Sequence, residues 1–360
     1  MEIISSLVIT IVLIGVLVVA HEFGHFIVAK KNGIWVQEFA IGMGPKLFSR
    51  QKGETEYSIR MLPLGGFCRM EGETNAGEIS SRSFLHKSIP VRLAVMAAGP
   101  FMNFLLAFVM IFGLTCTSYM AKPEIQEILP DSPAATIGLQ EGDIIRRMDG
   151  KRIHIYDELQ YILQQNHGET IQLEVSREGQ LYRYALEPRL NEERGMYLIG
   201  FTPKLETGLL AESEEGYEKA GIAETAYYSY YAMINYVKMT AEGLLRVFTF
   251  TASQEEYGGP IAIFKMVGDS YEAGLTYSLK AAIQNVIYIG AVLSANLGVL
   301  NLFPIPALDG GRILFLLIEA IRRRPMDTET ESKLQFLGFV FLMGLMAFVF
   351  YGDIMKFFVR

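Results

Sequence analysis

The N-terminal part of this chain joins a long apolar run to a pair of histidines. Residues 3–25 read IISSLVITIVLIGVLVVAHEFGH, and residues 3–20 carry no charged side chain. A helix needs about 20 apolar residues to cross the ~30 Å hydrocarbon core of a bilayer, so we predict a transmembrane helix here. A signal peptide is the alternative, but Met1-Glu2 is not a basic start and no A-x-A-like cleavage site follows.

The composition of the whole chain also indicates a membrane protein. Of its 360 residues, 51% are hydrophobic and 20% are charged, whereas soluble proteins carry about 25% charge. The formal charge of −7 argues against nucleic-acid binding, which requires a basic surface. Two cysteines, Cys68 and Cys116, are too few for a disulfide scaffold or a cysteine-rich zinc cluster, and we expect both as thiols at or inside the membrane.

Three further apolar stretches are long enough to span a bilayer, which makes four predicted spans. They cover residues 93–119, 281–302 and 334–351. A fifth stretch, residues 226–250, is rich in tyrosine and carries Lys238, Glu242 and Arg246. Aromatic rings and charges favour the headgroup level, so we interpret it as an interfacial helix, with a fifth span as the alternative.

The charges of the loops predict the orientation of the spans. Lysines and arginines are frequent in residues 30–92, and Arg322-Arg323-Arg324 lies between the third and fourth spans. Cytoplasmic loops carry such an excess of positive charge. We therefore expect both chain ends, and residues 121–279, outside the cytoplasm.

The segment between the second and third spans has the pattern of a small soluble domain. Ile171, Leu173 and Val175 alternate with polar residues, as in a half-buried strand. Residues 130–153, PDSPAATIGLQEGDIIRRMDGKRI, resemble a PDZ domain of the bacterial protease type. PDZ domains bind extended peptides by adding a strand to a sheet edge. A spacer that only excludes large proteins by its size is an equally weighted alternative.

The end of the first predicted span carries the pattern His21-Glu22-Phe23-Gly24-His25. Positions i and i+4 share one face of a helix, so the two imidazoles can bind one Zn²⁺ while Glu22 activates a water. Ionisable residues inside a span are costly and are usually functional. Two histidines that reach the interface, or pack in a bundle, would be the structural alternative.

A catalytic zinc site needs a third protein ligand, and residues 301–311 offer one. They read NLFPIPALDGG and follow the third apolar stretch. Pro304 and Pro306 interrupt helix hydrogen bonding, and we expect the two glycines to let the backbone turn freely. Broken backbone at membrane depth is tolerated where it lines a cavity, so Asp309 is predicted to hang from a bent loop into one. A plain helix exit with an Asp-Gly-Gly turn is the alternative.

The pair HEFGH and NLFPIPALDGG strongly resembles the site-2 protease family of intramembrane zinc metalloproteases, in its bacterial regulator-of-sigma-factor branch with one PDZ domain. The resemblance implies that His21, His25 and Asp309 are zinc ligands and that Glu22 is the catalytic acid/base. It also implies that Asn301 and Asn296 bind the substrate, Asn301 through the backbone near the scissile bond. The implied substrates are single-span membrane proteins, namely anti-sigma factors and remnant signal peptides.

Residues 55–70, TEYSIRMLPLGGFCRM, alternate polar and apolar residues around Pro63, Gly65 and Gly66, which is a hairpin signal. The resemblance implies a membrane-associated β-hairpin whose edge receives the unwound substrate. An ordinary cytoplasmic hairpin is the alternative. The family's GP segment resembles residues 258–262, which we interpret as structural.

The predicted fold class is thus a polytopic α-helical membrane protein with a membrane-associated β-hairpin and one extracytoplasmic PDZ domain, in a bacterial cell (inner) membrane. The predicted parts are the first transmembrane helix (1–30), a cytoplasmic loop with the hairpin (31–92), the second helix (93–120), the PDZ domain (121–190), a linker with the interfacial helix (191–280), and the third and fourth helices (281–360).

Two other functions fit parts of the pattern. A PDZ-bearing membrane scaffold or chaperone would have no use for the intact HEFGH and LDGG motifs. A metal transporter would carry polar positions along its spans and inverted repeats, whereas the polar groups here gather at one depth. The sequence therefore favours a zinc metalloendopeptidase that acts inside the lipid bilayer.

Overall fold

The computed structural model describes residues 2–73, 80–192, 195–211, 217–249, 251 and 258–356. It divides into two compact units, one formed by Met1–Met110 with Tyr236–Arg360 and the other by Ile111–Asn235. In chain order, the described elements are α1 (Glu2–Lys31), β1 (Val36–Lys52), β2 (Thr55–Met70), a 3-10 turn (Phe84–His86), α2 (Ile89–Thr117), β3 (Tyr119–Ile128), α3 (Pro133–Thr136), β4 (Ile144–Met148), β5 (Lys151–Arg152), α4 (Tyr156–Gln164), β6 (Ile171–Arg177), β7 (Gln180–Leu186), β8 (Arg189–Asn191), β9 (Met196–Leu198), β10 (Phe201–Thr207), β11 (Glu218–Lys219), α5 (Ile222–Phe248), α6 (Pro260–Leu275), α7 (Leu279–Leu302), α8 (Asp309–Arg322) and α9 (Thr328–Ile354).

Four of the described helices are long and apolar enough to cross a bilayer. They cover residues 4–31, 89–117, 279–302 and 329–354, which confirms the number of apolar spans predicted from the sequence. Large apolar side chains on α9, such as Phe336 and Leu337, are more than 60% exposed. Lipid accommodates exposed side chains of this kind, whereas water would not favour so continuous an apolar surface. Helix α5 is not among the four, and its interfacial position stays a prediction; Phe250 lies outside the described residues.

Helix α6 was not predicted and adds an element to the first unit. Its Val267 is fully buried in a cluster with Leu13 of α1 and Ile289 of α7. Residues 258–262, which we interpret as structural, contain the start of this helix. The buried Asp353 carboxylate accepts hydrogen bonds at 3.0–3.1 Å from the backbone N–H groups of residues 259, 261 and 262. These are donors that the first turn of a helix leaves unpaired.

The predicted hairpin exists, but its turn is elsewhere. Residues 55–70 form the single strand β2, which pairs with β1, and the register closes at Lys52 opposite Thr55. The tight turn is made by Gly53, whose φ is +64°, rather than by the Pro-Gly-Gly segment. That segment instead produces irregular register, so that residues 38–41 face both 66–69 and 56–59. The partner strand was missed because residues 36–52 lack regular alternation.

The chain breaks between α7 and α8, as the two prolines predicted. Ala307 has a φ of +78° and Leu308 is extended, and Asp309 then begins α8. Asp309 is therefore the first residue of a helix rather than part of the loop. Gly310 and Gly311 are helical, so their predicted role in turning the backbone is wrong. A Cβ at Gly310 would lie 2.2 Å from the carbonyl oxygen of Phe303, so glycine is required there for close approach.

The second unit is rich in β-structure and has its own core. Its largest sheet has the order β11-β10-β3-β4-β6-β7, with β5 paired to β4. The core packs helix α4 against the sheet through fully buried side chains. Ile171, Leu173 and Val175 are all buried, as their alternation predicted. The GLQEGD turn places Asp143 where its carboxylate, fully buried, pairs with Arg177 at 2.7 Å.

This ion pair gives a first prediction. Replacing Asp143 with Ala should destabilise the second unit, because the Arg177 guanidinium would lose its partner and Asp143 also accepts the N–H of Gln140. The hydrogen bonds to Asp143 raise the pKa of the Arg177 guanidinium. Removing one partner of a buried pair costs about 3 kcal/mol or more, and the partial exposure of Arg177 reduces this to about 2 kcal/mol.

Hydrogen exchange of β4 and β6 amides, measured on the full chain, should accelerate by roughly 30-fold in Asp143→Ala, as about 1.4 kcal/mol corresponds to tenfold. The control is Glu174→Ala, which removes the partner of the exposed Arg183 on the same sheet and should change exchange less than about threefold. Equal effects of the two substitutions would contradict the importance of burial.

Candidate active site

The histidine pair lies on one face of α1, as its spacing predicted. His21 and His25 are both buried, and their Nε2 atoms are 3.2 Å apart. The rings meet edge to face, with centroids 4.8 Å apart. Both imidazoles thus present the same nitrogen to a common point.

Asp309 comes to that point from a part of the chain almost 300 residues away. Its Oδ2 atom lies 3.1 Å from His21 Nε2 and 3.3 Å from His25 Nε2. The same oxygen is buried and has no partner in hydrogen-bond geometry among the described residues. Three polar atoms therefore converge on one point, and the carboxylate oxygen among them lacks a hydrogen-bond partner within the described ranges.

The spacing of these atoms fits a tetrahedral metal ion. Two ligand atoms bound to zinc at ~2.0 Å with a tetrahedral angle lie roughly 3.3 Å apart. The three observed separations are 3.1, 3.2 and 3.3 Å. Among the described residues, the same three side chains form a cluster suited to a metal ion. Two imidazoles and one carboxylate are also a ligand set that catalytic zinc sites use.

The backbone of α2 closes one side of the cluster. A Cβ at Gly99 would lie 2.3 Å from His25 Nε2 and 2.8 Å from His21 Cε1, so only glycine leaves room for the two rings. His25 Nδ1 contacts the carbonyl oxygen of Val95 at 2.8 Å. One turn after Gly99, the buried Asn103 contacts His21 Nδ1 at 3.2 Å. Helix α2 thus contacts the far side of both imidazoles.

Glu22 faces a cavity of about 390 Å³ that also contains His21, His25 and Asp309. The carboxyl end of β2 forms part of its wall through residues 67–70. Gly66 lies close by, since a Cβ there would be 3.6 Å from Glu22 Cγ. The cavity therefore brings a carboxylate, a possible metal site and a strand edge together.

A charged pair forms another part of the wall. Arg312, one turn after Asp309 on α8, contacts the carboxylate of Glu73 in an ion pair. Both residues line the cavity of Glu22, and both also line a neighbouring cavity of about 600 Å³ between α8 and the start of α9. The ion pair thus separates two cavities of the first unit.

The two asparagines predicted to bind substrate are not among the residues that line the cavity. Asn301 is half-buried in the last turn of α7. Asn296 accepts a hydrogen bond from Thr240 of α5. The structure brings His21, Glu22, His25 and Asp309 together, and the roles of Asn301 and Asn296 stay predictions.

The sequence analysis did not identify Asn103, Gly99 or Arg312. Asn103 had a signal, because it is the one amide in the apolar stretch 93–119, which contains no Asp, Glu, Lys, Arg or His. Arg312 also had one, because it follows Asp309 at helical spacing. Gly99 had none, since its importance comes from contacts with a distant helix.

Comparison with known proteins supports the same interpretation. The chain matches peptidase family M50 over residues 9–345. It is 39% identical over 340 residues to a Clostridium perfringens protein whose name classes it as a zinc metalloprotease, and the match covers 94% of this chain and 95% of that protein. It is 31% identical to the zinc metalloprotease RasP of Geobacillus kaustophilus, with 99% of each chain covered. It is 28% identical to the regulator of sigma-W protease RasP of Bacillus subtilis, again with 99% of each covered.

Among solved structures, the PDZ domain of an SdrC-like protein from Listeria monocytogenes matches 23% of this chain and 87% of its own length, at 20% identity and a TM-score of 0.22. The corresponding domain from Listeria innocua matches at 20% identity and a TM-score of 0.21, covering 23% of this chain and 92% of that one.

The match to M50 extends over most of the chain, and the relatives above align along nearly their full lengths. This confirms the resemblance drawn from HEFGH and NLFPIPALDGG, and it decides among the three functions considered in favour of the peptidase. The four apolar helices make the protein a membrane protein. The chain therefore belongs to peptidase family M50 and is a zinc metalloprotease.

Proposed function

We propose that this metalloprotease cleaves transmembrane segments of single-span proteins inside the membrane, with zinc held by His21, His25 and Asp309. The observation that carries the proposal is the tetrahedral spacing of three ligand atoms, two on the apolar helix α1 and one at the start of α8, which follows the apolar helix α7. Zinc, when bound, supplies a Lewis acid for the scissile carbonyl and lowers the pKa of the attacking water.

Glu22 is proposed as the acid/base of the reaction. It lies between the two histidines in sequence and shares their cavity. Its carboxylate takes a proton from the attacking water and then delivers it to the amine of the leaving peptide. No other described carboxylate except Asp309 and the ion-paired Glu73 lines this cavity, which leaves Glu22 as the available base.

The substrate needs an extended backbone at the site. A transmembrane helix hydrogen-bonds all its backbone groups internally, so its carbonyls are shielded until it unwinds. Residues 66–70 of β2 pair, among the described strands, only with β1, and residues 67–70 line the cavity. We propose that this edge pairs with the unwound segment and replaces its lost hydrogen bonds. Asn301 and Asn296 are proposed to bind the backbone of the same segment, Asn301 near the scissile bond.

The physiological setting is proposed from the relatives. The name of the Bacillus subtilis relative connects it to sigma-W regulation. By analogy, the substrates of this chain would be anti-sigma factors. Remnant signal peptides are proposed as further substrates, because each is also a single membrane-spanning segment. The second unit is proposed to be an extracytoplasmic PDZ domain that binds peptide or excludes untrimmed proteins. Both termini are placed on that same side of a bacterial inner membrane.

The acid/base role is tested by Glu22→Gln. The amide cannot accept the proton, so cleavage of a single-span reporter in proteoliposomes should fall at least 10²-fold, the lower end of what general acid–base catalysis contributes, while bound zinc stays unchanged. The control is Glu272→Gln, an exposed position on α6 that should cleave normally. Cleavage by Glu22→Gln at the wild-type rate would refute the assigned base.

The ligand set is tested by metal content. His21→Ala and Asp309→Ala should each lower the zinc that purified protein retains, because each removes one of three protein ligands. His86→Ala, an exposed histidine whose Nδ1 contacts the carbonyl oxygen of Ser80, should retain full zinc. Mass spectrometry of the metal gives the stoichiometry directly. Full occupancy in both ligand variants would remove those residues from the site.

The edge strand is tested by photo-crosslinking. Benzoylphenylalanine in place of Phe67, which lines the cavity, should crosslink a single-span substrate trapped by Glu22→Gln. The same group in place of Phe48, which is 61% exposed on the other ladder of the hairpin, should crosslink it far less. Mass spectrometry of the adducts identifies the partners. Equal yields at the two positions would contradict pairing at residues 66–70.

A further inference from the structure

The outer nitrogens of the two active-site imidazoles have different partners, although the inner nitrogens converge in the same way. His25 Nδ1 lies 2.8 Å from the carbonyl oxygen of Val95, which can only accept a hydrogen bond. His21 Nδ1 lies 3.2 Å from the amide nitrogen Nδ2 of Asn103, which can only donate one. The two contacts therefore require opposite protonation states of the ring nitrogens that they address.

Metal binding fixes which ring nitrogen of each histidine carries the proton. An imidazole that offers the lone pair of Nε2 to a cation carries its remaining proton on Nδ1. For His25 this tautomer is satisfied, since its Nδ1–H points at the Val95 carbonyl. For His21 the Nδ1–H would meet the Nδ2–H groups of Asn103, and two donors cannot bond.

The other end of the same amide resolves the conflict. Asn103 is completely buried, and its Oδ1 atom has no hydrogen-bond partner in the described part of the chain. The oxygen and nitrogen of an asparagine amide have nearly the same shape, so their assignment follows from the hydrogen bonds. Turning the amide by 180° places Oδ1 opposite His21 Nδ1–H and leaves Nδ2 in the unpartnered position. One amide atom lacks a partner in either orientation, so the tautomer of His21 decides between them.

The backbone around Asn103 is fixed independently of the imidazole. Ser294 of α7 donates a hydrogen bond of 2.8 Å to the carbonyl oxygen of Asn103. One turn earlier, Gly99 packs against both rings with no space for a side chain. Asn103 and Gly99 share one face of α2 because they are four residues apart. The amide is thus held at hydrogen-bond distance from His21 and can change only its orientation.

We infer that Asn103 is a positioning residue for the metal site, and that its amide oxygen accepts the Nδ1–H of His21 when zinc is bound. The inference rests on the proposed role of His21 as a ligand. Groups of this kind fix the tautomer and ring orientation of a metal-binding histidine, and their loss typically lowers metal affinity by about 10- to 100-fold.

The test compares Asn103→Asp with Asn103→Leu in the full chain, purified in detergent. Aspartate keeps an acceptor at the same place, whereas leucine has a similar shape and no polar atom. We expect Asn103→Leu to weaken zinc binding by about 10- to 100-fold, measured by competition with a chelator. The zinc affinity of Asn103→Asp should stay within about threefold of the wild-type affinity. Asn103→Ala replaces the leucine variant where leucine does not fold.

A purely structural role predicts equal losses of zinc affinity in the two variants. If Asn103 only packs or donates through Nδ2, aspartate buries a carboxylate and should weaken zinc binding as much as leucine does. Asn285→Leu is the matched control, because it makes the same change and loses a hydrogen bond from α7 to the Ser270 carbonyl oxygen of α6 without touching Asn103 or an imidazole. It should leave zinc affinity unchanged, and a loss equal to that of Asn103→Leu would assign the effect to helix packing.

Zinc affinity of the wild-type chain separates this inference from the proposed function. Wild type without zinc binding would refute the ligand set itself. Wild type that binds zinc, together with an Asn103→Asp variant that loses more than about tenfold in affinity, would overturn only the role of the Asn103 acceptor.

Discussion

The convergence of two imidazoles and one carboxylate within a largely apolar unit constrains everything around it. His21, His25 and Asp309 hold their ligand atoms 3.1–3.3 Å apart, which is the spacing of ligand atoms around a tetrahedral metal ion. Burying such groups costs free energy unless hydrogen bonds or a metal ion compensate. The neighbouring helices bring all three groups to one point, where a single metal ion can compensate this free energy.

Small residues make this arrangement sterically feasible. Gly24 of α1 would place a Cβ 2.2 Å from the carbonyl oxygen of Ala98, so α1 and α2 touch through their backbones. Gly99 admits the imidazoles, and Gly310 lets α8 begin directly against the end of α7. Helices in membranes associate through such close contacts, because lipid gives no hydrophobic drive for their packing. The glycines of the two motifs therefore bring helices together rather than loosen the backbone.

The cavity is polar on one side and bordered by a strand on the other. Glu22, Arg312 and Glu73 supply charged groups, while residues 67–70 of β2 supply backbone that can pair with another chain. A peptide bond and a water molecule have to meet at the same site for hydrolysis, and they require these two kinds of surface. The described residues that line this cavity all belong to the first unit.

Local patterns in the sequence were enough to predict the four spans, the shared helix face of the two histidines and the candidate ligand Asp309. Apolar length gives a membrane helix, i,i+4 spacing puts two imidazoles on one face, and prolines break a helix wherever they occur. These properties depend only on neighbours along the chain. The pairing of β2 with residues 36–52, the helix at 260–275 and the closeness of Gly310 to Phe303 depended on elements that meet only in the folded chain. Asn103 shows the difference most clearly: the sequence marks it as a polar residue in an apolar stretch, but only the packing of α2 against α1 turns it toward His21.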